Sequence, residues 1–393
     1  MGKRVCIVRQ NRYPEDLLVR REAEALKEAG FHVDVVCGSS SQQPPEEVID
    51  EIHVHRLPPR RKKRGVARYL FEYSAFFLLA ALKLTVLHLR RPYALIQVNT
   101  MPDFLVFATL IPRLLGAKVI LQMYEPMPEL WTTKFNFAPL IRLLEVIQQL
   151  SLRYAHAAFT VTQQLKDTLV ARGADPDKIT VVLNVPEERL FQAYATEPLP
   201  PADGHFTLIC HGAIEARYGH DTMLEAVHFL KSAIPGLRLR VLGHGSYLKE
   251  FLAQVEALDL QDYVQYLGYI PLTQLVDELC KADVGIVAQK SSPYSHLVHT
   301  GKMYDYLYFN KPVIASRLRA VNAYFDETSL CYFMPADAQD LARAIQYLYE
   351  HPEARERFAG NARRLYECYR WEQQRLQYIA VARTLAGLDI VGV

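Results

Sequence analysis

The segment His211-Gly212-Ala213-Ile214-Glu215-Ala216-Arg217-Tyr218-Gly219 joins an apolar, strand-like run (206–211) to a helical pattern over 222–233. Glycines at such a junction let backbone amides approach phosphate oxygens, and Arg217 can offer a planar fork of donors to a diphosphate. A tight turn with a surface arginine uses the same residues, so this segment needs a partner. The partner is His299-Thr300-Gly301-Lys302-Met303-Tyr304-Asp305-Tyr306-Leu307, followed by Asn310-Lys311-Pro312. Thr300 as N-cap, Asn310 in a left-handed C-terminal position and Pro312 as a stop predict a helix of about three turns. Its first amides, at Thr300, Gly301 and Lys302, suit an anion, and Asp305 about one turn along would accept from sugar hydroxyls. The plainer reading of Asp305 is a solvated helix residue.

Three carboxylates in the first half form a second candidate group. Asp103, after Pro102, follows the apolar run 95–98, while Glu125 and Glu129 follow 118–123. Open α/β sheets bind ligands beyond the carboxyl ends of their strands, where such groups orient or deprotonate a hydroxyl. Each taken singly also reads as a loop carboxylate or a helix cap. No DxD motif stands at a strand end in a metal-binding context, so no metal site is predicted. The six cysteines form no CxxC pair, and several sit inside apolar runs as buried thiols would.

The elements that must position these residues alternate along the chain. Strand patterns at 4–8, 31–37, 53–57, 95–98, 118–123, 158–161 and 179–183 are separated by helical ones at 17–29, 68–89, 104–115, 140–154 and 163–172. Proline-rich residues 193–204 break the periodicity and read as a linker. Alternation then restarts at 206 and gives way after 338 to helices, the last of them amphipathic after Trp371. Two parallel α/β domains follow. The length agrees, since 393 residues exceed the usual single core.

Charge excludes one class of partner. With 45 basic and 43 acidic residues the net charge is +2, too small for a nucleic-acid field. Local charge is another matter: Arg60-Arg61-Lys62-Lys63-Arg64 and Arg90-Arg91 flank the apolar stretch 69–89, a pattern suited to an anionic membrane surface along 60–91. That stretch is long enough to span a bilayer, but Lys83 and His88 interrupt it, and a span would put strands of one sheet on opposite sides. A core helix or a surface-docked helix fits better. No signal peptide is read at the N-terminus, and a cytoplasmic protein, with the inner membrane face in reach, is expected.

Four segments in fixed order now carry a resemblance: HGAIEARYGHDTMLEA, VLGHGSYLKEFLAQVEALDLQDYVQYLGYIP, LCKADVGIV and KMYDYLYFNKPVIAS. Together they resemble the nucleotide-binding domain of family 4 glycosyltransferases (glycosyl transferases group 1), which are retaining, metal-independent enzymes of the GT-B fold. Asn184 in ITVVLNVPEERLF, Trp371 in YRWEQQRLQYI and the segment IQVNTMPDFLVFATLIPRLLGAKVILQMYEPMPELW extend the likeness over most of the chain.

The resemblance implies a nucleotide diphosphate sugar as co-substrate, no cofactor, and a sugar or lipid-linked acceptor, in cell-surface polysaccharide or glycolipid synthesis. It implies a catalytic set of Arg217, Lys302, Glu125 and Asp103. The donor would be held by Gly212, Ala213, Arg217, Gly219, Gly243, Gly245, Gly268, Tyr269, His299, Thr300, Gly301 and Asp305. The acceptor would meet Pro102, Asp103, Glu125 and Glu129. Asp305 stands where the family's Glu-x7-Glu motif has its second glutamate, while the first falls at Leu297, leaving His296, His299 or Lys302 to substitute. Tyr124 stands where many members have a histidine. Expected domains are 1–195 for the acceptor, 196–372 for the donor, and a helix over 373–393 packing back on the first. Two other readings share the fold: an enzyme acting on the donor alone, of the nucleotide-sugar epimerase type, and a non-catalytic nucleotide-binding partner.

Overall fold

Apolar strands alternating with amphipathic helices assemble into two sheets in the computed structural model, which describes residues 2–39, 43–58, 66–133, 137–192 and 204–388. The chain divides into two compact units, Met1–Asn184 with Glu372–Val393, and Val185–Trp371.

The first unit runs β1 (Arg4–Arg12), α1 (Leu17–Glu28), β2 (His32–Gly38), β3 (Glu46–Ile49), β4 (Ile52–Leu57), α2 (Val66–Arg90) and β5 (Leu95–Asn99). A 3-10 segment (Asp103–Thr109), α3 (Leu110–Leu114), β6 (Lys118–Met123), α4 (Met127–Thr132), α5 (Ala138–Tyr154), β7 (Ala157–Thr160), α6 (Gln163–Ala171) and β8 (Ile179–Val181) follow. The sheet order is β3-β4-β2-β1-β5-β6-β7-β8, parallel except for the β3–β4 hairpin. The central strands carry buried apolar runs, Val5 to Val8 in β1 and Val119 to Leu121 in β6, as strands covered on both faces must. Crossing from β1 to β2 steps one way along the sheet, and every helical crossing from β4 to β8 steps the other way. Right-handed crossovers therefore put α1 on one face and α2, α3 and α5 on the other.

The second unit contains α7 (Glu188–Gln192), β9 (Phe206–His211), α8 (His220–Leu230), β10 (Leu237–Leu242), α9 (Leu248–Ala257), β11 (Val264–Gly268) and α10 (Leu272–Lys281). After these come β12 (Val284–Val287), α11 (Lys302–Tyr308), β13 (Val313–Ser316), α12 (Arg319–Asn322), β14 (Cys331–Phe333), α13 (Ala338–Glu350) and α14 (Pro352–Glu367). Its sheet is parallel, in the order β11-β10-β9-β12-β13-β14. The last helix, α15 (Trp371–Leu385), lies on the α1 face of the first unit: Arg375 pairs with Glu28, and Tyr378 donates to Gln97 at 2.7 Å.

Several local outcomes differ from the sequence reading for physical reasons. The helix expected over 104–115 is 3-10 up to Thr109, because Pro112 has no N–H to bond back and can stand only in the first turn of an α-helix. β3 was not expected, since Glu46-Glu47-Val48-Ile49 lacks alternation; it forms because Asp50 and Glu51 take positive φ (48° and 66°) and close a two-residue hairpin onto β4. The units divide at 184/185 rather than 195/196 because α7 is tied into the second unit. Glu188 accepts from Tyr366 and pairs with Arg370, and Phe191 packs on Tyr308 and Phe309. The expected linker falls outside the described residues over 193–203, as does the basic run 60–64.

Candidate functional site

In the second unit the loops after β9 and β10 are stacked backbone on backbone. Gly243 has φ 132°, and a Cβ there would stand 1.8 Å from the Gly212 carbonyl oxygen; one on Gly245 would stand 2.0 Å from that of Ile214. The loops are laced by Gly212 N to Leu242 O (2.9 Å), Ile214 N to His244 O (3.1 Å) and Tyr247 N to Ile214 O (3.0 Å). Gly243 N reaches Gly268 O at 2.7 Å, and the Tyr266 hydroxyl donates to Gly243 O, which brings in the loop after β11. Gly219, with φ 66°, opens α8 where a Cβ would lie 2.0 Å from Ala288 O. Only glycine permits these approaches.

Lys302 comes in beneath the same turn. It is the first residue of α11, whose inner face buries Met303, Tyr304, Tyr306 and Leu307, and it is itself only 8% exposed. Its Nζ lies 3.6 Å from where a Cβ on Gly212 would stand and 4.7 Å over the Tyr218 ring. Its one hydrogen-bond partner among the described residues is Cys210 Sγ, a weak acceptor at 3.9 Å. The Arg217 guanidinium covers the same Tyr218 ring at 4.7 Å and lies 3.9 Å from Glu215. Glu215 is held by Ser246, through N at 3.1 Å and Oγ at 2.6 Å, so its carboxylate is committed to bracing the two loops. The result is two cations beside a glycine turn whose backbone approaches closely.

Asp305 lies 3.4 Å from His211 Nε2. Burial raises the Asp305 carboxyl to about 7, although Lys302 opposes the shift. Burial, and then Lys302, push His211 down to about 3, so the imidazole is neutral. Its backbone N–H donates to the Tyr306 hydroxyl, which donates to Ile209 O and fixes the register of α11 against β9.

In the first unit the three candidate carboxylates part company. Asp103 is fully buried, and burial raises it to about 7, with Gln148 lowering and Glu129 raising it further. Glu129 is 5% exposed and pairs with Arg172, which also reaches Glu145 (3.2 Å) and Gln148 (3.3 Å). Glu125 is the part-exposed member. Tyr124 is buried; its hydroxyl donates to Glu22 at 2.6 Å and accepts from Asn99 at 3.0 Å. Gln97 donates to Glu22 and Asn99 and closes the network to Tyr378 of α15.

Comparison with known proteins decides the family. The family described as Glycosyl transferase 4-like domain matches residues 18–184, and Glycosyl transferases group 1 matches 195–365. Sucrose-phosphate synthase from Thermosynechococcus elongatus superposes with a TM-score of 0.79 at 19% identity, over 98% of this chain and 99% of that one. The chain is a glycosyltransferase of the GT-B fold. HepE from Anabaena in complex with UDP-glucose gives 0.74 at 15% identity, over 97% and 99% of the two chains. The catalytic domain of starch synthase IV from Arabidopsis thaliana, bound to ADP and acarbose, gives 0.74 at 14%, over 98% and 100%. No curated protein matches the sequence.

The sequence-predicted residues of this glycosyltransferase are only partly brought together. Gly212, Ala213, Arg217, Gly219, Gly243, Gly245, Gly268, Lys302 and Asp305 gather at the carboxyl ends of β9, β10 and β11. His299 is buried, its ring 3.1 Å from Ala320 O and 2.7 Å from the Tyr304 hydroxyl, so both nitrogens have partners within the unit. Thr300 is not the N-cap; Gly301 is, with φ −60° and no side-chain cap, so α11 has seven residues instead of about three turns. Asn310 does take the left-handed position, at φ 52°. Tyr269 is 86% exposed, and Leu297 is buried in the core. Pro102, Asp103 and Glu129 are buried, and Glu129 is paired with Arg172, which follows α6. His211 and Tyr218 were missed as site residues although both lie inside the quoted motif. Their place within that motif was the available signal; Lys302, which meets both, lies more than eighty residues further on.

Proposed function

We propose that this glycosyltransferase moves a sugar from a nucleotide diphosphate sugar to an acceptor hydroxyl with retention of configuration and without a metal. The observation that carries the reading is Lys302, a buried ammonium whose hydrogen-bond partner is a thiol, beside the Gly212 turn. A buried cation whose contacts are a thiol and an aromatic face is costly, and an anionic ligand would compensate it. Arg217, over the same ring, supplies a second positive charge for the leaving diphosphate, the work a metal does elsewhere. UDP-glucose, bound by one of the similar proteins, is a donor of this class, and ADP, bound by another, is a nucleotide diphosphate of the kind such donors release. Asp305, beside neutral His211, is suited to a ribose hydroxyl, which can both donate and accept.

Glu125 is the acceptor-side carboxylate that solvent reaches, and it orients or deprotonates the acceptor hydroxyl. The acceptor is a lipid-linked or growing cell-surface polysaccharide, or a glycolipid, met on the cytoplasmic face of a membrane; the apolar exposed side chains of α2 support this, as do six free thiols.

The test is a panel of nucleotide diphosphate sugars, scored by thermal shift and by nucleotide diphosphate release, with and without detergent-solubilised lipid acceptors and EDTA. One donor should bind, release should rise with acceptor, and Arg217→Ala should abolish it. Proton NMR of the product should show the donor's anomeric configuration. Binding without release under any acceptor would remove the transfer reading, and inhibition by EDTA the metal-independent one.

A further inference from the structure

A helix on the outside of an α/β unit ordinarily shows water its polar stripe. Three neighbouring helices of the first unit do the opposite. On α2, Phe71, Leu78, Leu82 and Leu89 recur at helical spacing and are 64 to 72% exposed. The adjoining α3 exposes Leu114 (70%), with Leu115 (54%) just after it, and α5 exposes Leu143, Val146 and Leu150, each near half. Helices α2 and α3 touch one another, and α2 and α5 both touch the 3-10 segment before α3, so these side chains belong to one face of the sheet. A segment of α2 over Phe71–Arg90 has the length and hydropathy of a membrane span. It packs on β2 and β4 and links two strands of one sheet, so it lies along the unit and does not cross a bilayer.

Charge identifies the occupant. Among the described side chains of these helices, the exposed charged ones are Arg90, Arg142 and Arg153, and Arg91 follows α2 directly. The acids Glu72 and Glu145 are half-buried, and Glu145 is paired with Arg172. A second copy of the chain meeting this face in a two-fold interface would set arginine against arginine. An anionic bilayer takes both components at once: headgroups meet the arginines while the leucines enter the acyl boundary.

We infer that the outer face of α2, α3 and α5 docks on an anionic lipid bilayer, holding the first unit in the membrane plane. This rests on the reading of a membrane-borne acceptor and extends it from one helix to a three-helix face. It is a monotopic attachment: apolar side chains supply depth, and arginines select the lipid.

Flotation of the full chain with vesicles tests it, using phosphatidylcholine alone against an equimolar mixture with phosphatidylglycerol. The protein should float with the mixture, far less with phosphatidylcholine, and less at high salt. Leu82→Glu, Leu114→Glu and Val146→Glu should each lower partitioning about tenfold or more, since each removes an inserted apolar side chain. Arg142→Ser and Arg153→Ser should each lower it about fivefold. Urea midpoints equal to the parent's will show that these exposed positions leave folding intact. The inference is overturned if the parent floats with neither vesicle, if it floats equally with both, or if sedimentation shows a dimer that Val146→Glu splits. Donor hydrolysis to nucleotide diphosphate, measured on the same samples without lipid, separates the two readings. Normal hydrolysis without flotation removes the docking face alone; flotation by a protein that neither binds nor hydrolyses any donor removes the transfer reading and leaves the face.

Discussion

Replacing Lys302 by methionine should move stability and ligand affinity in opposite directions. The side chain is 8% exposed, its ammonium has Cys210 Sγ at 3.9 Å as hydrogen-bond partner, and Met fills a similar straight volume without charge. Removing an uncompensated buried charge should leave the free protein at least as stable, and by the usual desolvation cost about 1 kcal/mol more stable. The same change removes a charge-assisted bond to a diphosphate, worth about 1.5–3 kcal/mol, or about ten- to hundred-and-fifty-fold in Kd. Urea unfolding without ligand gives the first quantity, and calorimetric titration with UDP and with ADP gives the second. A linked check is available: saturating the parent at a hundred times its Kd should add about 2.7 kcal/mol of stability, and the variant should gain far less at that concentration. A Lys302→Met protein that is less stable than the parent and binds both nucleotides equally well would refute the reasoning, since Lys302 would then be a structural residue.

Gly219→Ala should cost about 3 kcal/mol or more of stability in urea, because a left-handed φ of 66° alone costs about 1–2 kcal/mol and the new Cβ would stand 2.0 Å from Ala288 O; a loss under 1 kcal/mol would show that the α8–β12 junction can relax. Asp103→Asn should make stability less dependent on pH. Burial raises the folded carboxyl from 3.8 to about 7, so the stability associated with its neutral form is full below about pH 4 and lost as pH rises through about 7. The parent should therefore weaken across that window and the variant should not, so at pH 8 Asp103→Asn should be the more stable protein. A variant less stable than the parent at pH 8 would show that Asp103 is ionised and needed as an anion.

The two-sheet architecture was legible because buried parallel strands read as apolar runs, and three helices of the first unit carry a glycine stop: Gly30, Gly116 and Gly173 all take positive φ where a helix was expected to end. What failed lay at single residues whose effect depends on register. Pro112 allows an α-helix only as its first turn, and the motif alone did not show whether 104–109 would be 3-10 or α. The β3–β4 hairpin turns on Asp50-Glu51, which lacks the Asn-Gly or Asp-Gly signal.

The neighbours of the candidate residues in the second unit were more legible than those in the first for a reason of chain distance. Gly212, Arg217 and Gly219 belong to one loop, and Lys302 and Asp305 to one helix, so motif spacing nearly determines their neighbours. Asp103 and Glu129 were read from their strands alone, yet their surroundings include Gln148 on α5 and, for Glu129, Arg172 just after α6, residues no local pattern connects to them. Tyr124 shows the same dependence. The buried tyrosine, pushed far above its ordinary value by burial and Glu22, holds its proton at any working pH. Its hydroxyl belongs to a network running through Glu22, Asn99 and Gln97 to Tyr378, so the position fastens the end of β6 to α1, β5 and α15. Glu125, the next residue, is part-exposed, which is why the proposed proton-transfer role goes to it and not to Tyr124.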